Sequence, residues 1–374
     1  MRRSLYAFII ACFLGLTSAS GQANSASRWS QEKADQWYSG QPWLVGSNYI
    51  PVYAINQLEM WQASTFDPSE IDRELGWAES LGMNTMRVFL HDLLWKQDPD
   101  GFKQRINTFL EICDRHKIRP LFVLFDSVWD PMPHLGKQHP PVPGVHNSGW
   151  VQGPGTAGLA DSSQYPRLKA YVEGVVGAFA KDRRILGWDI WNEPDNEGGG
   201  NYHSLEPRNK KQLVLALLPQ AFEWARAVNP IQPLTSGVWQ GNWSDPDKLE
   251  AMPKEQLDLS DITSFHSYTN AAVFERRVKS LQQYGRPMVC TEYMARPLKS
   301  TFEAILPIAK QYKVGAINWG FVQGKTQTNF PWDSWEHPYV SAPPPMWFHD
   351  IFYPDGKPYS EQEVAFIRQM TGKR

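Results

Sequence analysis

Gly187-Trp188-Asp189-Ile190-Trp191-Asn192-Glu193-Pro194 is the stretch on which the reading of this chain turns. From Ile185 to Trp191 it forms a short apolar run that follows a helix-like segment and stops at a polar pair and a proline. That is the pattern of a parallel strand buried on both faces, whose carboxyl end opens into a loop. Pro194 stops the strand and fixes the exit of the chain. Glu193 is then expected at a strand-to-loop handover. Asn192 stands one residue before it, where its amide can hold a ligand hydroxyl or a neighbouring carboxylate. A lone Asn-Glu-Pro is most often a loop entry with a solvated glutamate, so the surroundings decide.

Outward from this stretch the same design recurs. Pro287 to Thr291 is a strand-like run ending in Glu292, and Asp261 to Phe265 runs into His266-Ser267-Tyr268. Earlier in the chain, Trp43–Pro51, Thr85–Leu90 and Pro120–Phe125 read as strands, the last ending at Asp126. Pro233–Val238, ending in Trp239, and Val314–Phe321, which contains Trp319, complete the set. Between them lie helix-like segments at 68–81, 102–116, 165–180, 211–228, 273–284, 302–312 and 361–370, while Gly198-Gly199-Gly200 reads as a flexible turn. Eight such strands alternating with helices predict an α/β chain folded as one (β/α)₈ TIM barrel over 41–374, with long loops after strands 3 and 8. The competitor is a doubly wound open sheet, which wants a glycine-rich loop after its first strand. Gly46-Ser47-Asn48 does not supply one. In barrels of this type the chemistry sits where strands end, and here three strand ends carry glutamate, His/Tyr and glutamate.

Composition narrows the partners. Hydrophobic residues make up 42% and charged residues 20% of 374 residues, as in a globular chain. Arg2 and Arg3 followed by the apolar run Leu5–Leu16 read as a signal peptide over 1–23, with 24–40 as an irregular lead-in. This predicts a secreted or periplasmic protein with no membrane attachment after cleavage, since the apolar run is too short to span a bilayer. Removing 1–23 takes away two arginines and no acid, moving the formal charge from −2 to −4. No nucleic-acid partner is expected from such a balance, and a monomer is. Cys113 and Cys290 read as buried free thiols. His134, His139 and His146 share one loop but no metal-ligand spacing, so no metal is expected.

Two carboxylates facing one another across a cleft can break a glycosidic bond. One protonates the departing oxygen while the other attacks the anomeric carbon or activates water. Their surroundings must then differ: burial beside Trp191 keeps Glu193 protonated, and Arg87 with Tyr268 holds Glu292 ionised. At this point the chain, from about Trp43 to Met370, resembles the retaining glycoside hydrolases of family 5, the cellulase and mannanase family. Asn192-Glu193 matches the Asn-Glu ending that family's fourth strand, and His266-Ser267-Tyr268 its His-x-Tyr on the sixth. Glu292 matches the glutamate ending the seventh, Trp319 the tryptophan flooring the site on the eighth, and Arg87 the arginine of the second.

The resemblance implies a β-glycosidase working by double displacement, with Glu193 as acid/base and Glu292 as nucleophile. Arg87, Asn192, His266, Tyr268, Trp319, Asp126 and Trp239 would bind substrate, a carbohydrate, and no cofactor is needed. Asp126 departs from the family, which usually has histidine there. The plain alternatives are structural: ion-paired glutamates, a core histidine at His266, a buried structural arginine at Arg87, and a loop cap at Asp126. Functional alternatives are a non-catalytic carbohydrate-binding barrel, disfavoured by retention of both glutamates, and a transglycosylase on the same scaffold. Of 17 tryptophans, Trp95, Trp129, Trp150, Trp239, Trp243, Trp319, Trp332 and Trp335 fall at or beyond strand ends, as sugar platforms or loop packing. The proline-rich loops 127–163 and 322–345 are expected to act as stiff walls that favour chain-end substrates.

Overall fold

Strands β1 (Val45–Asn48), β2 (Thr85–Phe89), β3 (Arg119–Asp126), β4 (Gly187–Asn192), β5 (Leu234–Thr235), β6 (Thr263–His266), β7 (Met288–Glu292) and β8 (Gly315–Asn318) pair in the order β5-β4-β3-β2-β1-β8-β7-β6. Every ladder is parallel. A single parallel bridge from Val238 to Phe265 joins the two edges and closes the barrel. The computed structural model describes residues 27–373 apart from Gly198; the signal peptide read at 1–23 lies outside them. Apart from Arg119, every strand residue is buried, as expected for strands covered by helices outside and filled by side chains inside.

Three local departures have physical causes. The fifth strand, expected over 233–238, pairs with β4 only at Leu234–Thr235 and resumes as the single bridge of Val238 to Phe265. Beyond it side chains take over the backbone bonding: Ser260 Oγ accepts from Ser236 N, and Gln256 Nε2 donates to Gly237 O. The lead-in is not irregular: Gln31–Ser39 is a helix capped by Ser30, whose side chain accepts from Lys33 N. Trp29 and Ala34 from this segment join Leu44, Leu121, Leu186, Ile262, Val289 and Ile317 in a cluster that plugs the amino-terminal end of the barrel. Of the glycine triplet, Gly198 lies outside the described residues, and Gly199 and Gly200 open a helical turn, Gly199–Tyr202, in place of a loose turn.

Register sets the opposite end. Asp126 pairs with Asn192, Asn48 with Arg87, and His266 with Glu292. The β6–β7 register slips between Phe265 and His266, which re-aims the histidine at the rim, as bulges beside active sites do. The long loop after β3 carries a short helix, Thr156–Ala160, and the loop after β8 reaches beyond 345 to the helix Glu361–Thr371, broken only by the turn Trp332–Trp335. Gly320 turns the chain sharply after Trp319 at φ +81, and a Cβ there would lie 2.5 Å from His349 Cβ.

Candidate active site

The carboxyl ends of the strands surround a cavity of about 240 Å3 lined by Asn192, Glu193, Tyr268, Glu292 and Trp319 from strand ends. Trp239 lines it from the β5 loop, and Val128, Trp129, His146, Asn147 and Trp332 from the two long loops. Glu193 follows β4 with φ +41, a left-handed backbone that costs a glutamate of order 1–3 kcal/mol and is typical of functional positions. The turn is fixed by Asn196 N donating to Glu193 O at 2.9 Å and by Ser127 Oγ donating to Pro194 O at 3.0 Å.

The two glutamates meet at His266. Its Nδ1 lies 2.9 Å from Glu193 Oε1 and 3.5 Å from Glu292 Oε2, while its buried Nε2 has no partner among the described residues. The proton is therefore assigned to Nδ1, the nitrogen facing the carboxyls. Burial pushes the His266 pKa down to about 4, so the ring is neutral in the working range. The remaining partners differ. Glu193 Oε2 accepts from Asn196 Nδ2 at 2.7 Å. Glu292 Oε1 accepts from Arg87 Nη1 at 2.7 Å, and its Oε2 from Tyr268 Oη at 2.6 Å.

Burial raises the pKa of Glu193 to about 7, with Asn196 and Arg87 opposing and Asp195 adding to the rise. The Glu292 carboxyl, expected to be held ionised, is also pushed up by burial, which outweighs the pull of His266, Arg87 and Tyr268. The difference in surroundings still holds: Glu292 is bonded directly to a guanidinium and a phenol, Glu193 to an amide and a neutral imidazole. One ligand-capable atom each of Glu193, His266 and Glu292 lies within 4.8 Å of the others. All four carboxyl oxygens of this trio already have donors, and Arg87 supplies the positive charge.

Arg87 and His266 stand just behind the lining. Asp126 is a correction: it is buried and lines no part of the cavity, accepting instead from Asn192 Nδ2 at 2.9 Å, Val128 N at 3.1 Å and Trp150 Nε1 at 2.6 Å. It thus caps the loop and holds a side chain that does reach the site. Asn192 divides its amide, Oδ1 accepting from Arg87 Nη2 at 2.7 Å.

Of the eight tryptophans expected on this face, Trp129, Trp239, Trp319 and Trp332 line the cavity. Trp150 and Trp335 pack behind Trp319 and Trp129. Trp243 packs on Phe265, and Trp95 lies against Gly174 on the outer helices. Trp239 donates from Nε1 to Asp195 Oδ1 at 2.7 Å, which fixes the plane of its ring.

The long loops are bonded to one another. Asn147 N donates to Thr326 O at 2.7 Å, His146 N to Ser334 Oγ at 2.8 Å, and Gln327 Nε2 to Val142 O at 2.7 Å. His146 Nδ1 reaches Phe330 O at 2.8 Å. Together they wall one side of the cavity.

Sequence reasoning passed over Asp189, Asn147 and Asn196, and weighed His146 only as a loop histidine without metal-ligand spacing. Asp189 had a signal, an acid inside an otherwise apolar strand. The others sit on loops whose path no periodicity encodes.

A (β/α)₈ barrel with paired glutamates across its mouth defines a glycoside hydrolase. The family model described as Cellulase (glycosyl hydrolase family 5) matches residues 77–325, and the chain belongs to that family, whose reaction is retaining. No curated protein matches the sequence. Among solved structures it is similar in fold to an exo-β-1,4-mannosidase from Opitutaceae bacterium strain TAV5, with a TM-score of 0.58 and 19% identity over 88% of this chain. The match spans 60% of that enzyme's length. It is similar also to a family 5 subfamily 18 enzyme from Streptomyces cattleya in complex with Manβ1-4GlcNAc (TM-score 0.60, 14% identity, 88% of this chain and 80% of that one). An endo-β-1,4-mannanase from Thermotoga petrophila gives a TM-score of 0.56 at 13% identity, covering 90% of this chain and 77% of that one. Among the described residues no helix is long and apolar enough to cross a membrane.

Proposed function

We propose that this protein is an exported retaining β-glycosidase that acts at the chain ends of neutral β-linked oligosaccharides or polysaccharides, with Glu193 as acid/base and Glu292 as nucleophile. The observation that carries the reading is the shared contact at His266, with carboxyl oxygens of the two glutamates within 4.8 Å. So short an approach of oxygens favours the ~5–5.5 Å carboxyl spacing of retaining sites over the wider gap of inverting ones.

In the first step Glu193 gives its proton to the glycosidic oxygen as Glu292 attacks the anomeric carbon. The C–O bond to the leaving group breaks and a glycosyl ester forms on Glu292. In the second, Glu193, now a carboxylate, takes a proton from water as that water attacks the same carbon and releases Glu292. Arg87 and Tyr268 orient the Glu292 carboxylate and stabilise its charge as it departs. Neutral His266 holds Glu193 in place without competing for its proton. Trp319, Trp239 and Trp332 offer apolar faces to pyranose rings.

The residues lining the cavity include two glutamates and neither lysine nor arginine, which favours neutral sugars over acidic ones. The joined loops wall one side, which supports chain-end action. The printed names of the similar structures make β-1,4-mannosides the first substrates to assay, with xylan and β-glucan oligosaccharides alongside. The basic n-region and apolar run at the amino terminus support export, which a secreted product lacking residues 1–23 would establish by mass.

The test is proton NMR of the first minutes of hydrolysis together with the product profile. A β-anomer appearing first and one short product dominating are expected. An α-anomer appearing first overturns retention, and a rapid viscosity loss with a mixed ladder overturns chain-end action.

A further inference from the structure

Asp126 stands where the resembled family has histidine, and its bonding assigns it a different task. Three donors converge on its carboxyl: Asn192 Nδ2 at 2.9 Å, Val128 N at 3.1 Å and Trp150 Nε1 at 2.6 Å. Its own backbone exchanges two bonds with Gly153, at 2.6 and 3.0 Å, which fixes the residue in place. All three side-chain contacts need an acceptor, so neither histidine nor asparagine satisfies them together.

Two of these contacts lead into the site by separate routes. The first runs through Asn192. With Nδ2 held by Asp126, the amide can present only Oδ1 to Arg87 Nη2, which it does at 2.7 Å. The flipped amide would set donors against the guanidinium. Arg87 in turn donates to Glu292 at 2.7 Å and to Asn48 at 3.0 Å. The second route runs through Trp150. Its pinned indole meets Phe89 edge-on at 5.0 Å and 87°, and Trp319 at 5.9 Å and 74°. Trp319 itself contacts Phe89 at 5.9 Å, so the buried Phe89 and Trp150 rings support the partly buried Trp319 that lines the cavity.

We propose that Asp126 is a positioning residue that sets two parts of the site at once: through Asn192 it fixes Arg87 against Glu292, and through Trp150 it fixes the face of Trp319 on which sugar stacks. The proposal rests on the reading of Glu292 as nucleophile and Trp319 as sugar platform. It predicts a division that a purely structural carboxylate would not show. The Asn192 route acts on kcat, since it aims the attacking group. The Trp150 route acts on KM, since it shapes a binding surface.

The experiment uses the full chain and the aryl β-glycoside that the wild type turns over fastest among gluco-, manno- and xylo-configured probes. Trp150→Phe removes the indole N–H and narrows the ring that packs on Trp319, and is expected to raise KM roughly 3–10-fold, the size of one aromatic contact, with kcat within about twofold of wild type. Asp126→Ala cuts both routes and is expected to lower kcat by about 10²-fold as well, the cost of misaiming a reacting group by about 1 Å. Asp126→Asn keeps an oxygen for Asn192 but turns an NH2 toward the indole N–H. It is therefore expected to raise KM with kcat within about threefold of wild type, and adding Trp150→Phe, which removes the opposing donor, should leave kcat there and raise KM no further than Trp150→Phe alone.

Equal effects of Trp150→Phe and Asp126→Ala on kcat, or an Asp126→Asn enzyme that loses kcat as far as Asp126→Ala does, overturn the proposal, as does an Asp126→Ala enzyme with unchanged kcat. Where Asp126→Ala fails to fold, the other three forms decide alone. Failure of the underlying reading looks different: Glu292→Gly would keep its activity whatever the Asp126 variants do.

Discussion

Asp189 gathers the Nε and Nη2 of Arg87 onto one carboxylate oxygen, at 3.0 and 2.8 Å, in the interior of the barrel where both side chains are fully buried. Arg87 thus has two carboxylates, Asp189 below and Glu292 above. Burial opposes its charge, and the two anions together outweigh that burial and raise its pKa. Asp189→Asn would leave the guanidinium short of one anion. Breaking a buried pair in this way costs roughly 3–5 kcal/mol. Urea unfolding is expected to show a loss of that size, and a loss under about 1 kcal/mol would show that the fork does not hold the interior together.

Glu292→Gly is expected to be nearly inactive on aryl β-glycosides, because nothing remains to form the glycosyl ester. Azide fits the space vacated by the carboxylate and attacks from the same side. Added azide should therefore restore turnover and yield an α-glycosyl azide from a β-glycoside. Absence of any rescue, with the fold intact by circular dichroism, counts against the nucleophile assignment.

Glu193→Ala should slow substrates with poor leaving groups by ~10²–10⁴-fold while sparing good ones, because only the former need protonation. The pH profile carries the same information. Glu193 must be protonated and Glu292 ionised in the free enzyme, so kcat/KM rises as Glu292 loses its proton and falls as Glu193 does. The falling limb is expected near pH 7, and the rising limb above the ordinary glutamate value because burial lifts Glu292 too. The bell should be narrow, and its limbs belong to the coupled pair. A plateau reaching past pH 9 contradicts the acid role.

Stability should respond to pH through another buried acid. Glu74 accepts from Tyr49 Oη at 2.7 Å and Val52 N at 3.0 Å, and burial lifts its pKa to about 8. A folded pKa above the unfolded value of ~4.3 means the native state binds the extra proton. The associated stability is complete below pH ~4.3 and is lost as pH rises through about 8. Glu74→Gln, which cannot ionise, should flatten the fall in Tm between pH 5.5 and 8.5. An unchanged slope would assign the fall to the other raised acids, Asp126, Asp350, Glu193 and Glu292.

The legible parts of this molecule were those with a period or an abrupt end. The apolar runs at 185–191 and 287–291 located β4, β7 and both glutamates, because a strand buried on both faces leaves a mark in every residue. The fifth strand was over-read in its middle, since Pro233–Val238 carries the same mark while Ser260 and Gln256 side chains, remote in sequence, replace the ladder at Ser236 and Gly237. Asp126 was located at its strand end but given the wrong neighbour: whether an acid faces the cavity or a buried indole depends on where Trp150 returns after a loop of some twenty residues. His146 and Asn147 are placed by bonds to Phe330 and Thr326, partners almost two hundred positions away that no local pattern announces.

Those loop-to-loop bonds give the last prediction. Gln327 lies in the β8 loop at φ +54 and spends its whole amide on the β3 loop. Its Nε2 donates to Val142 O at 2.7 Å and Val145 O at 2.9 Å, and its Oε1 accepts from Gly144 N at 3.2 Å. Gln327→Ala removes all three bonds at a site outside the cavity lining. Each neutral bond is worth ~0.5–1.5 kcal/mol, enough together to free the wall without unfolding the barrel. If the wall confines the enzyme to chain ends, its release should let longer chains lie across the mouth. The ratio of viscosity loss to new reducing ends should then rise several-fold on a long polysaccharide, while kcat/KM on a single-sugar aryl glycoside stays within about twofold. Such a glycoside is too short to lie across the mouth, so freeing the wall should matter little to it. An unchanged ratio, with the loop bonds demonstrably lost by faster amide exchange at Gly144 and Asn147, would mean that something other than these loops limits the cleft.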